Sequence, residues 1–357
     1  MSSAARLESV DVLRGLTVIG MIVVNAAAGL QRYPVPAPFL HAHWIGLTLA
    51  DLVFPAFIFV MGVSIALSMP ASAGLNKDAA LRIAARSLRL IALGLVLTNL
   101  YWLIDYDTYH FRVPGVLQRI GLVFLFAAPL HLLCTTRQLF WTAMLLLIGY
   151  SLACLLPFPG GVTDLHVAGA NIAGWIDRAV LGTHIYVQGP LGYDPEGLLS
   201  TVPAIAQALL GIVAGRQLLS GSTRTLATAG AVSIVTGAAL AWIIPISKDL
   251  WSASFVLVTS GLTVMLLGAL RQTIDLGGRR LPGATVCAAF GINAIAAYVL
   301  HYLLSGMLGW KSMDALYAAA ANVLGPTLAL FFPIGVFVAL IAWLMLALQR
   351  RRWVVKI

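Results

Sequence analysis

The chain has 357 residues, 60% of them hydrophobic and only 10% charged. Soluble globular domains run nearer about 45–50% apolar and about 25% charged, and the mean hydropathy here is +0.94. These values exclude a water-soluble domain, a disordered chain and a disulfide scaffold. They predict an all-α, polytopic membrane helix bundle. The net charge of +9 does not point to nucleic acid, because the basic residues fall at the ends of apolar runs rather than on one soluble face. Cys134, Cys154 and Cys287 lie in or beside apolar runs without metal-ligand spacing. They read as small buried hydrophobes, and no metal is expected.

A membrane span takes about 20 apolar residues. Ten runs qualify, at about 12–30, 46–69, 87–104, 114–133, 139–157, 198–215, 225–244, 251–270, 284–304 and 323–348. Lipid offers the backbone no partner, so each run must be helical. Met1–Arg6, then Asp11 and Arg14, lead into a run long enough to span, which reads as a retained helix rather than a cleaved signal. Sixteen Lys and Arg residues fall on one set of flanks, from Arg6 to Lys356 and including Lys77, Arg82, Arg86 and Arg89. Five fall on the other: Arg32, Arg112, Arg178, Lys248 and Lys311. This bias puts both termini in the cytoplasm, and a polyanionic donor such as a CoA thioester is attracted to that side. Residues 1–357 read as a single transmembrane domain with one long extracytoplasmic loop at about 158–197. Within it, Gly174–Leu181 reads as a short interfacial helix.

Polar residues inside such a bundle are candidate functional groups. Asn25 lies about two-thirds of the way along the first span. Pro34, Pro36 and Pro38 then forbid a helix and require a tight cap that delivers His41 and His43 to the second span. Either imidazole has the proton affinity of a general base near neutrality; a hydrogen-bonded loop histidine is the bland alternative. Asp51, in the second span, needs a partner. It either orients the His41 imidazole or forms a structural ion pair with Arg119, which lies inside the fourth span and cannot lose its proton. Pro55 removes a helical hydrogen bond and predicts a kink. Asn293 and His301 are eight residues apart and can share a helix face, as helix–helix glue or as cavity lining. His131 reads as interfacial. No Gly-x-Ser-x-Gly elbow or phosphate-cradling glycine loop is present. A transporter lined by Asn25, Asp51, Arg119 and Asn293, or a structural subunit, are the rival classes.

Several blocks together carry a family resemblance. Arg6-Leu7-Glu8-Ser9-Val10-Asp11-Val12-Leu13-Arg14-Gly15, Trp44 to Pro55 with Met61-Gly62-Val63-Ser64, Arg112 to Arg119, and Asp194-Pro195-Glu196-Gly197 occur in order along the chain. This pattern resembles the heparan-alpha-glucosaminide N-acetyltransferase family. The resemblance implies a transmembrane acyltransferase that takes acetyl from cytosolic acetyl-CoA and delivers it to an amino sugar or other glycan across a bilayer, here the bacterial inner membrane. His41-Ala42-His43-Trp44 is similar to the family's His-Ala-x-Trp element, which implies His41 as the catalytic base or transient acyl carrier. Val24-Asn25 matches its Val-Asn element, which implies Asn25 as the donor to the thioester carbonyl oxygen. On that chemistry Asp51 joins the catalytic set and, with Arg119, holds the site's geometry; Arg119, which can also bind a substrate phosphate, serves the acetyl-CoA donor with Asn293 and His301, and Asp194 and Glu196 shape the acceptor pocket. A homodimer is the expected oligomer.

Overall fold

The computed structural model describes residues 7–71, 74–220 and 223–355, without the side chains of 219–220 and 307–311. The predicted flank residues Arg6 and Lys356, the side chain of Lys311 and the rest of the Met1–Arg6 stretch lie outside the described residues. The architecture is all-helical: α1 Glu8–Ala28, α2 Leu49–Ser68, α3 Lys77–Thr98, α4 Leu100–Ile104, α5 Val116–Leu133, α6 Thr136–Leu155, α7 Ile172–Leu181, α8 Thr201–Ser220, α9 Thr223–Leu240, α10 Ala253–Leu270, α11 Ala284–Ile292, α12 Ala294–Ala329 and α13 Phe331–Arg350.

The all-α, polytopic expectation holds, and each of the ten apolar runs is helical. Among the described residues six helices are long and apolar enough to cross a membrane, and the α11–α12 pair, bent by 88°, makes a seventh if it is one span. The other runs belong to helices with more polar content, α3 among them. α3 starts at Lys77, ten residues before the apolar run at 87 suggested. The Asn76 side chain accepts from Ala79 N, and Asp78 lies in the first turn. A capped first turn with an acidic residue fixes a helix start that apolarity does not mark. The tenth run also shifts: α13 begins at Phe331, because α12 carries on through residue 329.

The helices form two compact units, one comprising Met1–Ala42, Leu47–Phe57 and Leu266–Ile357, the other His43–Gly46 and Ile58–Met265. α2 and α10 contribute residues to both. In each unit helices close on glycine, as expected where lipid cannot drive association and packing must. In the first unit a Cβ on Gly15 would collide with the Cys287 backbone of α11, and one on Gly291 with the Asp11 backbone of α1. Arg14 Nη1 adds a 3.0 Å hydrogen bond to Gly291 O, and Ser9 Oγ donates to Asp275. The opening block of the sequence therefore clamps α1 to the helices near the C-terminus. In the second unit Gly62 meets Ala208, Gly211 meets Phe59, and Gly121 of α5 meets Ser87 and Ile91 of α3.

Candidate active site

The first unit holds the His41 site. After α1 the chain passes Pro34 and Pro36, makes a short 3₁₀ turn at Ala37–Phe39, and reaches His41 without forming an α-helix, as the prolines require. Thr48 then begins α2. Asp51 is in the first turn of that helix, not deep in the span, and its N–H bonds back to Thr48 O at 3.2 Å. Asp51 Oδ2 accepts from Thr48 N at 3.0 Å and from Ala42 N at 3.1 Å. Thr48 Oγ1 sits 3.0 Å from the same oxygen and 2.7 Å from Leu40 O. The Asp51 carboxylate thus reaches back to the N–H of Thr48, the residue before α2, as the acidic half of a capping box does, and a carboxylate at a helix N-terminus is favoured by the helix dipole.

The other oxygen, Asp51 Oδ1, lies 2.8 Å from His41 Nδ1. A carboxylate already holding two backbone N–H groups is a firm acceptor, so Nδ1 carries the proton and Nε2 has the lone pair. The Asp51 side chain is 0% exposed and that of His41 40% exposed. His41 Nε2 makes no hydrogen bond to the described residues. The carboxylate thus orients the ring, while the far nitrogen remains accessible. Of the two readings of Asp51, the structure gives it the imidazole. Arg119 has partners of its own, described below, so the expected Asp51–Arg119 pair is replaced. His43, the other candidate base, forms no ion pair with a carboxylate among the described residues.

Asn25 is half-buried near the C-terminal end of α1. Its backbone carbonyl receives Gly29 N, and its side-chain amide makes no hydrogen bond to the described residues. A Cβ on Gly20 would stand 3.1 Å from Val53 Cγ2. That contact sets α1 against α2 five residues before Asn25 and two residues after Asp51. Asn293 sits at the α11–α12 break. Its Nδ2 donates to Trp353 O at 3.1 Å and its Oδ1 accepts from Val355 N at 2.9 Å, so its amide ties down the C-terminal segment. His301 is buried among the rings of Tyr298, Tyr302 and Phe337, and its Nδ1 has no partner among the described residues. The eight-residue spacing does not join the two into one site.

The second unit holds a denser network. Arg112 Nε and Nη2 grip Asp194 Oδ2 and Oδ1 at 2.9 and 2.6 Å, and Nη2 also reaches Glu196. The guanidinium lies 4.7 Å from the centre of the Tyr186 ring. Asp194 further accepts from Tyr186 N and Glu196 N, each at 2.9 Å. The Asp194 and Glu196 carboxylates hold Arg112 well above the ordinary guanidinium range, against the opposing cost of burial. Asp177, on the predicted short helix α7, accepts from Leu198 N at 2.9 Å and Asp194 N at 3.2 Å. Burial pushes its carboxyl up to about 6. Arg119, 1% exposed, donates to Gly197 O and Ser200 Oγ and stacks 4.8 Å from the Trp251 ring centre. Its Nε and Nη1 have no partner among the described residues. His131, in the last turn of α5, accepts at Nδ1 from Arg216 and lies 2.8 Å from Met69 O through Nε2, a structural role.

Sequence reading passed over Thr48, Asp177, Ser200 and Trp251. Thr48 had a signal, the Thr-x-x-Asp spacing ahead of an apolar run. The others become partners only through tertiary folding.

A family model described as "Heparan-alpha-glucosaminide N-acetyltransferase, catalytic" matches residues 6–243. The chain belongs to this family. The mouse heparan-alpha-glucosaminide N-acetyltransferase is 35% identical over 88% of the chain and 56% of its own length. The human protein of the same name is 34% identical over 87% of the chain and 55% of its own length. The chain thus spans just over half the length of the curated relatives it matches. The matched stretch contains the His41–Asp51 pair, Asn25 and the Arg112 network, while Asn293 and His301 lie beyond it.

Proposed function

We propose that this family member is a transmembrane acetyltransferase that uses acetyl-CoA and acylates an amine or hydroxyl of an amino sugar or other glycan. The observation that carries the reading is the His41 imidazole, held at Nδ1 by buried Asp51 with Nε2 accessible. In the reaction, His41 Nε2 takes the proton of the acceptor N–H or O–H as that atom attacks the thioester carbonyl. Asp51 keeps the ring in the reactive tautomer and stabilises the imidazolium that forms. The Asn25 amide donates to the developing oxyanion; loss of one such donor costs about 10²–10³ in rate. As the C–S bond breaks, the imidazolium returns its proton to the departing CoA thiolate, leaving acetylated acceptor and free CoA.

The Lys and Arg bias supports a cytosolic donor and an extracytoplasmic acceptor, with the chain in a bacterial inner membrane. Arg119, with two nitrogens still to be satisfied, and His301 are the donor-side groups that remain chemically available; Asn293 supports the fold instead. Asp194 and Glu196 act through Arg112 to hold the acceptor-side loop. The test is transfer of labelled acetyl from acetyl-CoA sealed inside proteoliposomes to hexosamines outside. Labelled acetylated sugar is the expected product. Uptake of sugar without CoA release would assign a transporter instead.

A further inference from the structure

The strap that carries His41 from α1 to α2 is held by side chains rather than by its backbone. Pro34, Pro36 and Pro38 bring no N–H donor. Among the described residues, the backbone–backbone hydrogen bonds of 31–42 are all local: Tyr33 N to Leu30 O, Val35 N to Tyr33 O, Phe39 N to Pro36 O and Leu40 N to Ala37 O. None of them reaches a neighbouring helix.

Side chains pin the strap at both ends. At the far end Thr48 and Asp51 hold Leu40 O, Ala42 N and the His41 ring. At the near end the partner is α12. Tyr33 Oη donates to Asp314 Oδ1 at 2.8 Å, and Arg32 Nη2 lies 3.1 Å from the same oxygen. The Tyr33 ring stacks on Tyr317 with centroids 3.7 Å apart, against a small apolar cluster that includes Ala320 and Ala329. Between the two ends Phe39 meets the edge of Phe331, the first residue of α13, with centroids 5.4 Å apart.

The Arg32 and Asp314 side chains are 48% and 30% exposed, and an ion pair that open to water adds little to global stability. Its effect is on position. A strap pinned at one end pivots, whereas one pinned at both ends holds His41 in register with Asp51. The prolines make the strap stiff, so a displacement at Tyr33 is passed along it rather than absorbed before it reaches His41.

We propose that Asp314 is a positioning residue for acetyl transfer: through Tyr33 and Arg32 it pins the near end of the proline strap and so fixes the pose of the His41 imidazole. The proposal rests on the acetyltransferase reading, in which His41 is the base. A misplacement of about 1 Å at a reacting group can cost about 10²-fold in rate.

The test compares wild type, Asp314→Ala, Asp314→Asn and Tyr33→Phe as full chains in nanodiscs, with acetyl-CoA as donor and glucosamine as acceptor. Kinetics, thermal midpoint and amide hydrogen exchange of the peptide spanning 30–42 are measured together. Asp314→Ala should lower kcat by about tenfold or more and leave KM for acetyl-CoA within about twofold. Its exchange should speed up in 30–42 and stay as in the wild type elsewhere, at an unchanged midpoint. Asp314→Asn still offers Tyr33 an acceptor oxygen and should recover most of kcat. Tyr33→Phe keeps the ring stack, loses the hydroxyl and should fall between. Wild-type kcat in Asp314→Ala overturns the proposal. So does a kcat that drops only in step with the midpoint and with faster exchange along the whole chain, the signature of a merely structural role. If Asp314→Ala does not fold, Tyr33→Phe decides through one hydroxyl, and wild-type kcat with unchanged exchange in 30–42 overturns the proposal there. A wild type that transfers no acetyl removes the acetyltransferase reading; the pinning is then read from exchange alone, and unaltered exchange of 30–42 in Asp314→Ala contradicts it.

Discussion

His41–Asp51 and Arg112–Asp194 both set a nitrogen donor against a fully buried aspartate side chain, yet they are built for opposite ends. Asp194 spends its oxygens on a bidentate guanidinium and two backbone N–H groups, and Arg112 divides its donors between two carboxylates. Such a contact holds a loop in place. Asp51 is equally well satisfied, but its partner uses only one ring nitrogen and keeps the other accessible. The difference teaches that burial of a carboxylate says little about its role; what its partner leaves unused says more.

Substitutions should separate the two contacts sharply. Asp51→Asn removes the acceptor that fixes the tautomer, and acetyl transfer should fall by about 10²–10⁴, measured as kcat in proteoliposomes. A loss under about threefold in a folded variant would dissolve the contrast. Arg112→Gln leaves two buried carboxylates without their cation. It should cost about 3–5 kcal/mol of stability, read as a lower thermal midpoint in detergent. An unchanged midpoint would show that the loop does not depend on the pair.

Acidity tests the same loop more gently. Asp177 titrates near 6 because burial disfavours its charge, so the folded state takes up a proton before the unfolded chain does. This group alone therefore adds stability as pH falls from about 7 through 6, and the gain levels off below the ordinary aspartate range. Glu196 acts in the opposite sense: Arg112 and other cations outweigh burial and hold its carboxyl low, and its contribution is lost as pH drops through that lowered value. Thermal midpoints between pH 5 and 7 should rise toward pH 5 in the wild type and lose that slope in Asp177→Asn. The smallest effect belongs to His43→Ala, which should change kcat by less than about twofold. A large loss would transfer the base assignment from His41.

Every apolar run is helical, because lipid leaves an apolar segment of that length one backbone solution. Apolarity misplaced the start of α3, whose first turns are marked by Asn76 and Asp78 rather than by hydrophobicity, and it read 284–304 as one span where the chain bends by 88° at Asn293. The His41–Asp51 contact spans only ten residues, but the path between them runs through a non-helical cap whose shape the prolines constrain without specifying. Arg119 needed a buried partner on charge grounds. That this partner is a carbonyl, a hydroxyl and the face of Trp251 follows from packing, which the one-dimensional pattern does not contain.

The central claim is that the accessible nitrogen of His41 accepts the proton during acetyl transfer. Purified wild type and His41→Ala, matched for folding by thermal melt and reconstituted with acetyl-CoA inside and acceptor sugar outside, test it most directly. The account predicts that the variant loses at least about 10²-fold in kcat. Wild-type turnover by a well-folded His41→Ala protein would contradict it.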